Sequence, residues 1–294
     1  MAIERVPLNF VRLDSIRIRG MPSWTFIQKS TQRPSFLPLL KSPLLKSPLL
    51  FLRLSENYDL SSDMPPVRSQ GNQGSCVAWA TTYYLKSYQE KKQYGFDYLS
   101  YENIISPAFV YNQSKVNNSC NSGSTIANAL EVLKELGANN WKDFPYSDTQ
   151  CSNLPTEELL IKAAQNKIKE YFQVGIPDSN TDVNYTLINL IRTLISEENP
   201  IVVSLDWQDL IFETLIDETI ATSFSQNPTD ECGHAVLIVG YDDRINAFKF
   251  VNSWGTSFGN EGYGWISYDF FLPIVDIDFQ EGLTGAYIAY DEDE

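Results

Sequence analysis

Cys76 closes a run of small and amide residues, QGNQGSCVAWA (Gln70–Ala80), where a Gly-rich loop gives way to an aromatic, Ala-rich segment. A thiol at a helix N-terminus meets unpaired backbone N–H groups and the positive end of the helix dipole, and both favour the thiolate. A thiolate that is to attack an acyl carbon needs a base and a group that orients the base. The chain has a single histidine, His234, in GHAVLIVGYDD (Gly233–Asp243), where it opens an apolar run rather than sitting within it. Asn252, in FVNSWGTSFGNEGYGW (Phe250–Trp265), carries a side-chain oxygen able to accept the second ring N–H and fix the tautomer. Taken singly, a lone Cys or a lone His is most often a core residue. The three segments gain meaning from occurring together and in this order.

These segments need elements to position them. From Ser55 to Gln73 the chain is polar and turn-rich, punctuated by Pro65 and Pro66. After Ser75, read as an N-cap, apolar residues at Trp79, Ala80, Tyr83, Tyr84 and Tyr88 have helical spacing. Further helices are predicted over Ile126–Leu136, ended by Gly137, over Glu157–Glu170, and over Tyr185–Ser196. Beyond Pro200 the texture becomes β-rich, with strands predicted over Ile201–Leu205, Ala235–Val239, Phe248–Val251, Gly264–Tyr268 and Ala286–Tyr290. Helices followed by strands read as an α+β protein of two lobes.

The 294 residues are 43% hydrophobic and include sixteen Tyr, sixteen Phe and six Trp, enough to build a substantial core. A net charge of −15 disfavours a nucleic-acid partner, because phosphate binding needs a basic surface. That charge is uneven: residues 1–54 hold nine Lys or Arg against Glu4 and Asp14, while the remainder holds thirteen basic and thirty-five acidic residues. Within the basic leader, Phe36–Leu52 repeats KSPLL twice, and its Pro and Lys residues make a membrane span implausible. No signal peptide is evident. The four cysteines show no zinc-like spacing, so no metal and no cofactor is expected. A reducing, cytoplasmic setting is the expectation that follows. Pairing of Cys120 with Cys151 and two free thiols both stay open.

The three segments resemble the papain family of cysteine peptidases. QGNQGSC is similar to its nucleophile loop, with Gln70 six positions before Cys76. GHAVLIVGY is similar to the segment around the base, and NSWGTSFGNEGYGW to the Asn-Ser-Trp-Gly segment. His234 and Asn252 follow Cys76 by 158 and 176 residues. The resemblance implies a papain-like fold, a mostly helical lobe followed by an antiparallel β-barrel-like lobe, with the site in the cleft between them. The corresponding division is a Leu/Pro-rich extension at 1–57, a helical lobe at 58–165 and a β-rich lobe at 166–294.

Carried over by position, Cys76 would be the nucleophile, His234 its base and Asn252 the orienting group, with Trp254 shielding that contact. Gln70 and the Cys76 N–H would bind the oxyanion. CNSG (Cys120–Gly123) is similar to the family's substrate-pairing segment, so Ser122 and Gly123 would face the substrate. Ser124 and Thr125 would line one wall of the main specificity pocket; Ser204, Cys232, Gly233 and Ala235 would line the other. The implied function is peptide-bond hydrolysis on a peptide or protein substrate. A transpeptidase or ligase, and a silent binding protein, are the alternatives. Departures are Val77, where the family has Trp after the nucleophile, Gln73 in place of the Cys that normally pairs with Cys120, and a leader without the usual helical pro-segment pattern. That leader, basic and extended, is read in two ways, as an occupant of the protein's own cleft or as a tether.

Overall fold

The computed structural model describes residues 54–174, 183–206, 210–215, 218–224, 233–274 and 285–291. The strip Phe36–Leu52 and Cys232 lie outside them. The first element is a short strand, β1 (Asn57–Asp59). Helix α1 (Cys76–Ala78) then continues without a break into π-helical turns, Trp79–Lys86, and into α2 (Ser87–Tyr94). No Gly or Pro interrupts residues 76–94, and Gly95 ends the run in the left-handed region at φ 70°. Trp79, Tyr83, Tyr84 and Leu85 are fully buried along it. Each such side chain contributes roughly 1.5–3 kcal/mol of burial, so this helix is the spine of the core.

Helix α3 (Pro107–Ser114) begins where the Ser106 hydroxyl accepts the Ala108 N–H and Pro107 takes the first turn. The sequence reading placed no helix here. All eight residues are buried, so the segment lacks the polar face that would have betrayed its period. Helix α4 (Ile126–Glu135) is amphipathic and stops as expected at Gly137. There φ is 74°, and a Cβ would lie 1.9 Å from the Ala163 carbonyl oxygen.

Helix α5 (Glu157–Ala163) is shorter than predicted. One 3-10 turn, Ala164–Asn166, follows it, and Ile168–Val174 is strand β2 rather than the last turns of a helix. The Asn166 side chain donates to the Ala138 carbonyl at 2.7 Å, which turns the chain. From Ile168 onward the backbone finds its partners in the final strand of the protein.

After α6 (Val183–Ser196) come β3 (Ile201–Asp206), β4 (Leu210–Leu215), β5 (Glu218–Phe224), β6 (Gly233–Asp242), β7 (Ala247–Val251), β8 (Tyr263–Ser267), α7 (Tyr268–Ile274) and β9 (Ala286–Asp291). The nine strands form one sheet in the order β2-β9-β3-β6-β7-β8-β5-β4, with β1 added to β6. Pairings are antiparallel except for β5 with β8. The sheet is therefore mixed, and its path does not close on itself among the described residues. Strand β6 packs against both the Cys76 helix and α6. Covered on two faces, it is apolar without alternation, which explains the continuous HAVLIVGY run. Backbone bonding reaches back before Tyr58, since the Asp243 N–H donates to the Glu56 carbonyl at 2.9 Å.

One buried ionic cluster ties these parts together. Lys86 Nζ lies 2.7 Å from Glu90 and 2.7 Å from Asp291, all three nearly solvent-free. Burial raises the Glu90 pKa against the pull of Lys86.

Candidate active site

Cys76 takes the first helical position, and Ser75 stands at the N-cap as predicted. The Ser75 hydroxyl, however, does not cap the helix. It lies 2.8 Å from the Tyr146 hydroxyl instead. The first turn is thus left without its usual side-chain acceptor, which preserves its pull on negative charge. Cys76 is buried, and it is the one cysteine of the described residues outside a disulfide.

His234 stands at the second residue of β6, a strand that packs on α1. Its Nε2 lies 2.8 Å from Asn252 Oδ1. That same oxygen accepts the Ser253 backbone N–H at 2.7 Å. A backbone N–H can only donate, so the Asn252 atom is the oxygen, and the imidazole must present N–H from Nε2. Nδ1 is then the ring's free-electron-pair nitrogen, the one suited to accept a proton. Asn252 is itself held: its carbonyl accepts the Tyr84 hydroxyl at 2.8 Å, and its N–H donates to Gly262 at 3.0 Å. The Trp254 ring lies against the imidazole, centroids 4.5 Å apart, and Phe258 meets Trp254 edge-on. Burial lowers the His234 pKa to about 4, opposed by the Asn252 hydrogen bond.

Gln70 is clamped at both ends of its amide. Ser253 Oγ donates to its Oε1 at 2.6 Å, and its Nε2 donates to the Gln73 carbonyl at 2.7 Å. The Gln70 backbone donates to the Ser253 carbonyl and accepts from the Tyr146 hydroxyl. One Nε2 hydrogen is used in this clamp, and the amide carries a second.

The CNSG segment lies against the nucleophile loop. Gly74 N–H donates to the Cys120 carbonyl at 2.9 Å, and a Cβ on Gly74 would come within 2.8 Å of the Asn121 and Ser122 carbonyl oxygens. Tyr111 holds the segment through the carbonyls of Cys120 and Ser122. Cys120 is disulfide-bonded to Cys151, which resolves the open pairing. Gly123 has open space where a side chain would project. The hydroxyls expected on the pocket wall are engaged elsewhere. Ser124 donates to the Ser114 carbonyl, and Thr125 caps α4 by accepting the Asn128 N–H. On the sheet, Ser204 is paired with Ala235 and Leu205 with His234. Strand alternation therefore sets Ser204 and Ala235 on the face opposite the imidazole's. Gly233 is exposed at the mouth of β6, and Cys232 is outside the described residues.

Sequence reasoning missed Tyr84, Tyr146 and Ser253 as supports. Ser253 was legible only as a neighbour of Asn252. The two tyrosines gave no signal beyond aromatic content. Among the described residues no group of acidic, Cys and His side chains could hold a metal ion, and no helix is long and apolar enough to cross a membrane.

The chain is 27% identical to a cysteine protease of Blomia tropicalis across 72% of its own length and 61% of the relative's. It is 27% identical to cathepsin O of Mus musculus across 67% and 57%. The chain thus spans somewhat under two thirds of the length of these relatives. Among solved structures, xylellain, a cysteine protease from Xylella fastidiosa, shares the fold with a TM-score of 0.62 at 24% identity, covering 87% of this chain and 91% of that one. A digestive procathepsin L 3 of Tenebrio molitor larval midgut superposes with a TM-score of 0.58 at 20% identity over 88% and 76%. The profile describing papain family cysteine proteases matches residues 54–271, from just before β1, through the Cys76 loop and Asn252, into α7. With well over half of its length so matched, the chain belongs to the papain family of cysteine proteases.

Proposed function

We propose that the protein is an active cysteine peptidase that hydrolyses peptide bonds through a thioester on Cys76. The observation that supports this most is the buried His234–Asn252 hydrogen bond, whose donor sense leaves Nδ1 as the basic nitrogen. In this reading Nδ1 takes the Cys76 thiol proton. The thiolate attacks the substrate carbonyl carbon, and the carbonyl oxygen becomes an oxyanion met by Gln70 Nε2–H and the Cys76 N–H. His234 then gives its proton to the leaving amine, the C–N bond breaks, and a thioester remains. Water, deprotonated by His234, attacks the thioester; the acid leaves and the thiol re-forms. A buried imidazole resists carrying a net charge, yet proton transfer within the Cys76–His234 pair leaves the pair neutral.

The test is turnover of a peptidyl-aminocoumarin library by the full chain and by Cys76→Ser. Coumarin release by the first and not by the second is expected; equal release, or none from either the full chain or a chain begun at Leu54, overturns the proposal. Repeating the assay with added amine and analysing products by mass would reveal amide rather than acid if the chain is a transpeptidase. The basic extension is proposed as an occupant of the acidic body's own cleft. A truncated chain to test this should begin at Leu54, because Glu56 already bonds to Asp243.

A further inference from the structure

The turn after α4 carries a carboxylate with no evident task. Asp148 is half-buried, and none of the ion pairs among the described residues includes it. Its turn is fixed to the nucleophile loop by three ties. Tyr146 donates to the Gln70 carbonyl at 2.7 Å, Gln73 Nε2 donates to the Ser147 carbonyl at 3.1 Å, and Cys151 is bonded to Cys120. Gly71 lies beneath the carboxylate at φ 60°, where a Cβ would sit 2.2 Å from Asp148 Oδ2. Only a glycine lets the carboxylate settle this close to the loop.

Asp148 borders a cavity of about 460 Å³ that is also lined by Ser69, Gly71, Tyr146 and Ser147. This cavity flanks Gln70 on one particular side. Ser69 forms a β-bridge with Trp254, and Trp254 covers the His234 ring. An imidazole that protonates the leaving amine does so on the side of the substrate that departs. The CNSG segment packs at Gly74, three residues further along the loop than Gly71. On the peptidase reading, this chain of contacts from Ser69 through Trp254 to His234 puts the cavity beside the segment that follows the scissile bond.

Resting on the peptidase reading, we propose that Asp148 is a specificity determinant for a cationic side chain, Lys or Arg, in the leaving segment of the substrate. The carboxylate is anchored by its turn before substrate arrives, so little side-chain entropy is lost in forming the pair. It is partly screened from water, which strengthens attraction beyond that of a surface pair.

Two substrate types test this with the full chain. The first are internally quenched peptides, alike except for Lys, Ala or Glu at each of the first three leaving-segment positions. The second is a peptidyl-aminocoumarin, whose leaving group has no side chain. At one position Lys should exceed Glu in kcat/KM by about fivefold, an ordinary yield for one partly exposed ion pair. The ratio should fall to about one in Asp148→Asn, invert in Asp148→Lys, and shrink with added salt. Coumarin release should be the same in all three proteins, which also shows that the variants fold. Unchanged Lys/Glu ratios in Asp148→Asn, with coumarin still released, would overturn the specificity role alone. Absence of coumarin release from both the unaltered chain and one begun at Leu54 would instead overturn the peptidase reading, and this one with it.

Discussion

Ser253 Oγ donates a 2.6 Å hydrogen bond to Gln70 Oε1, joining the residue after the imidazole's partner to the amide proposed to meet the substrate oxygen. The two halves of the site are thereby held in one network. The sheet side supplies His234 and Asn252, the helical side supplies Cys76 and Gln70, and Ser253 crosses between them.

That link makes a graded prediction. Gln70→Ala should lower kcat by about a hundredfold or more, as loss of one oxyanion donor does. Ser253→Ala leaves the amide present and loosens it, and a loss of about tenfold is expected, mainly in kcat. Affinity for a peptidyl aldehyde, which binds as a tetrahedral adduct, should fall in both variants. Alkylation of Cys76 by iodoacetamide needs no oxyanion site and should keep its rate. A Ser253→Ala protein whose aldehyde affinity matches that of the unaltered chain would contradict the role.

Burial of His234 has a consequence for stability. Its pKa falls from about 6.5 to about 4 on folding. Between those values the unfolded chain binds a proton that the folded chain does not. The stabilisation is therefore complete above pH 6.5 and is lost as pH falls toward 4, with an upper limit of about 3 kcal/mol. His234→Gln should remove this contribution, so its stability should fall less steeply from pH 7 to 4.5. Urea unfolding of both proteins at several pH values measures the difference. Parallel curves would mean that the imidazole titrates normally in the fold.

The disulfide closes a loop of 31 residues between Cys120 and Cys151. Loop closure of this length is worth about 3–4 kcal/mol in the chain-entropy view. Replacing both cysteines by Ala should lower stability by roughly that amount. It should also loosen the Cys120 carbonyl that receives the Gly74 N–H, raising KM. Denaturation midpoints and KM values for the double variant check both parts, and an unchanged KM would show that Tyr111 alone holds the segment.

Much of this site was readable because its chemistry is local in sequence. The QGNQGSC loop, the GHAVLIVGY strand and the NSWG turn each announce a residue type in a recognisable setting. The unbroken apolar run of β6 also told its own story, since only a strand covered on both faces dispenses with polar alternation. What escaped was tertiary. Helix α3 hid because every residue is buried. The helix expected over Glu157–Glu170 ran too far, because pairing with β9 makes Ile168 onward a strand. Tyr146 and Asp148 join the nucleophile loop only through a turn more than seventy residues away, a contact no local pattern encodes. The internal bonds of the Ser124 and Thr125 hydroxyls, to the Ser114 carbonyl and the Asn128 N–H, were likewise unreadable.

In the proposed mechanism the Cys76 thiol shares its proton with the imidazole, and the pH dependence of Cys76 alkylation by iodoacetamide tests that most directly. The full chain and His234→Ala are labelled from pH 4 to 9 and followed by peptide mass mapping. Burial alone holds the His234 pKa down at about 4, and a proton shared with the thiol would keep the pair reactive below the range of an ordinary thiol. The account therefore predicts rapid labelling that persists at pH 5.5, and a His234→Ala protein that labels only as an ordinary thiol with a pKa near 8.5 would. Labelling of the full chain that follows the ordinary thiol curve, unaltered by His234→Ala, would contradict it.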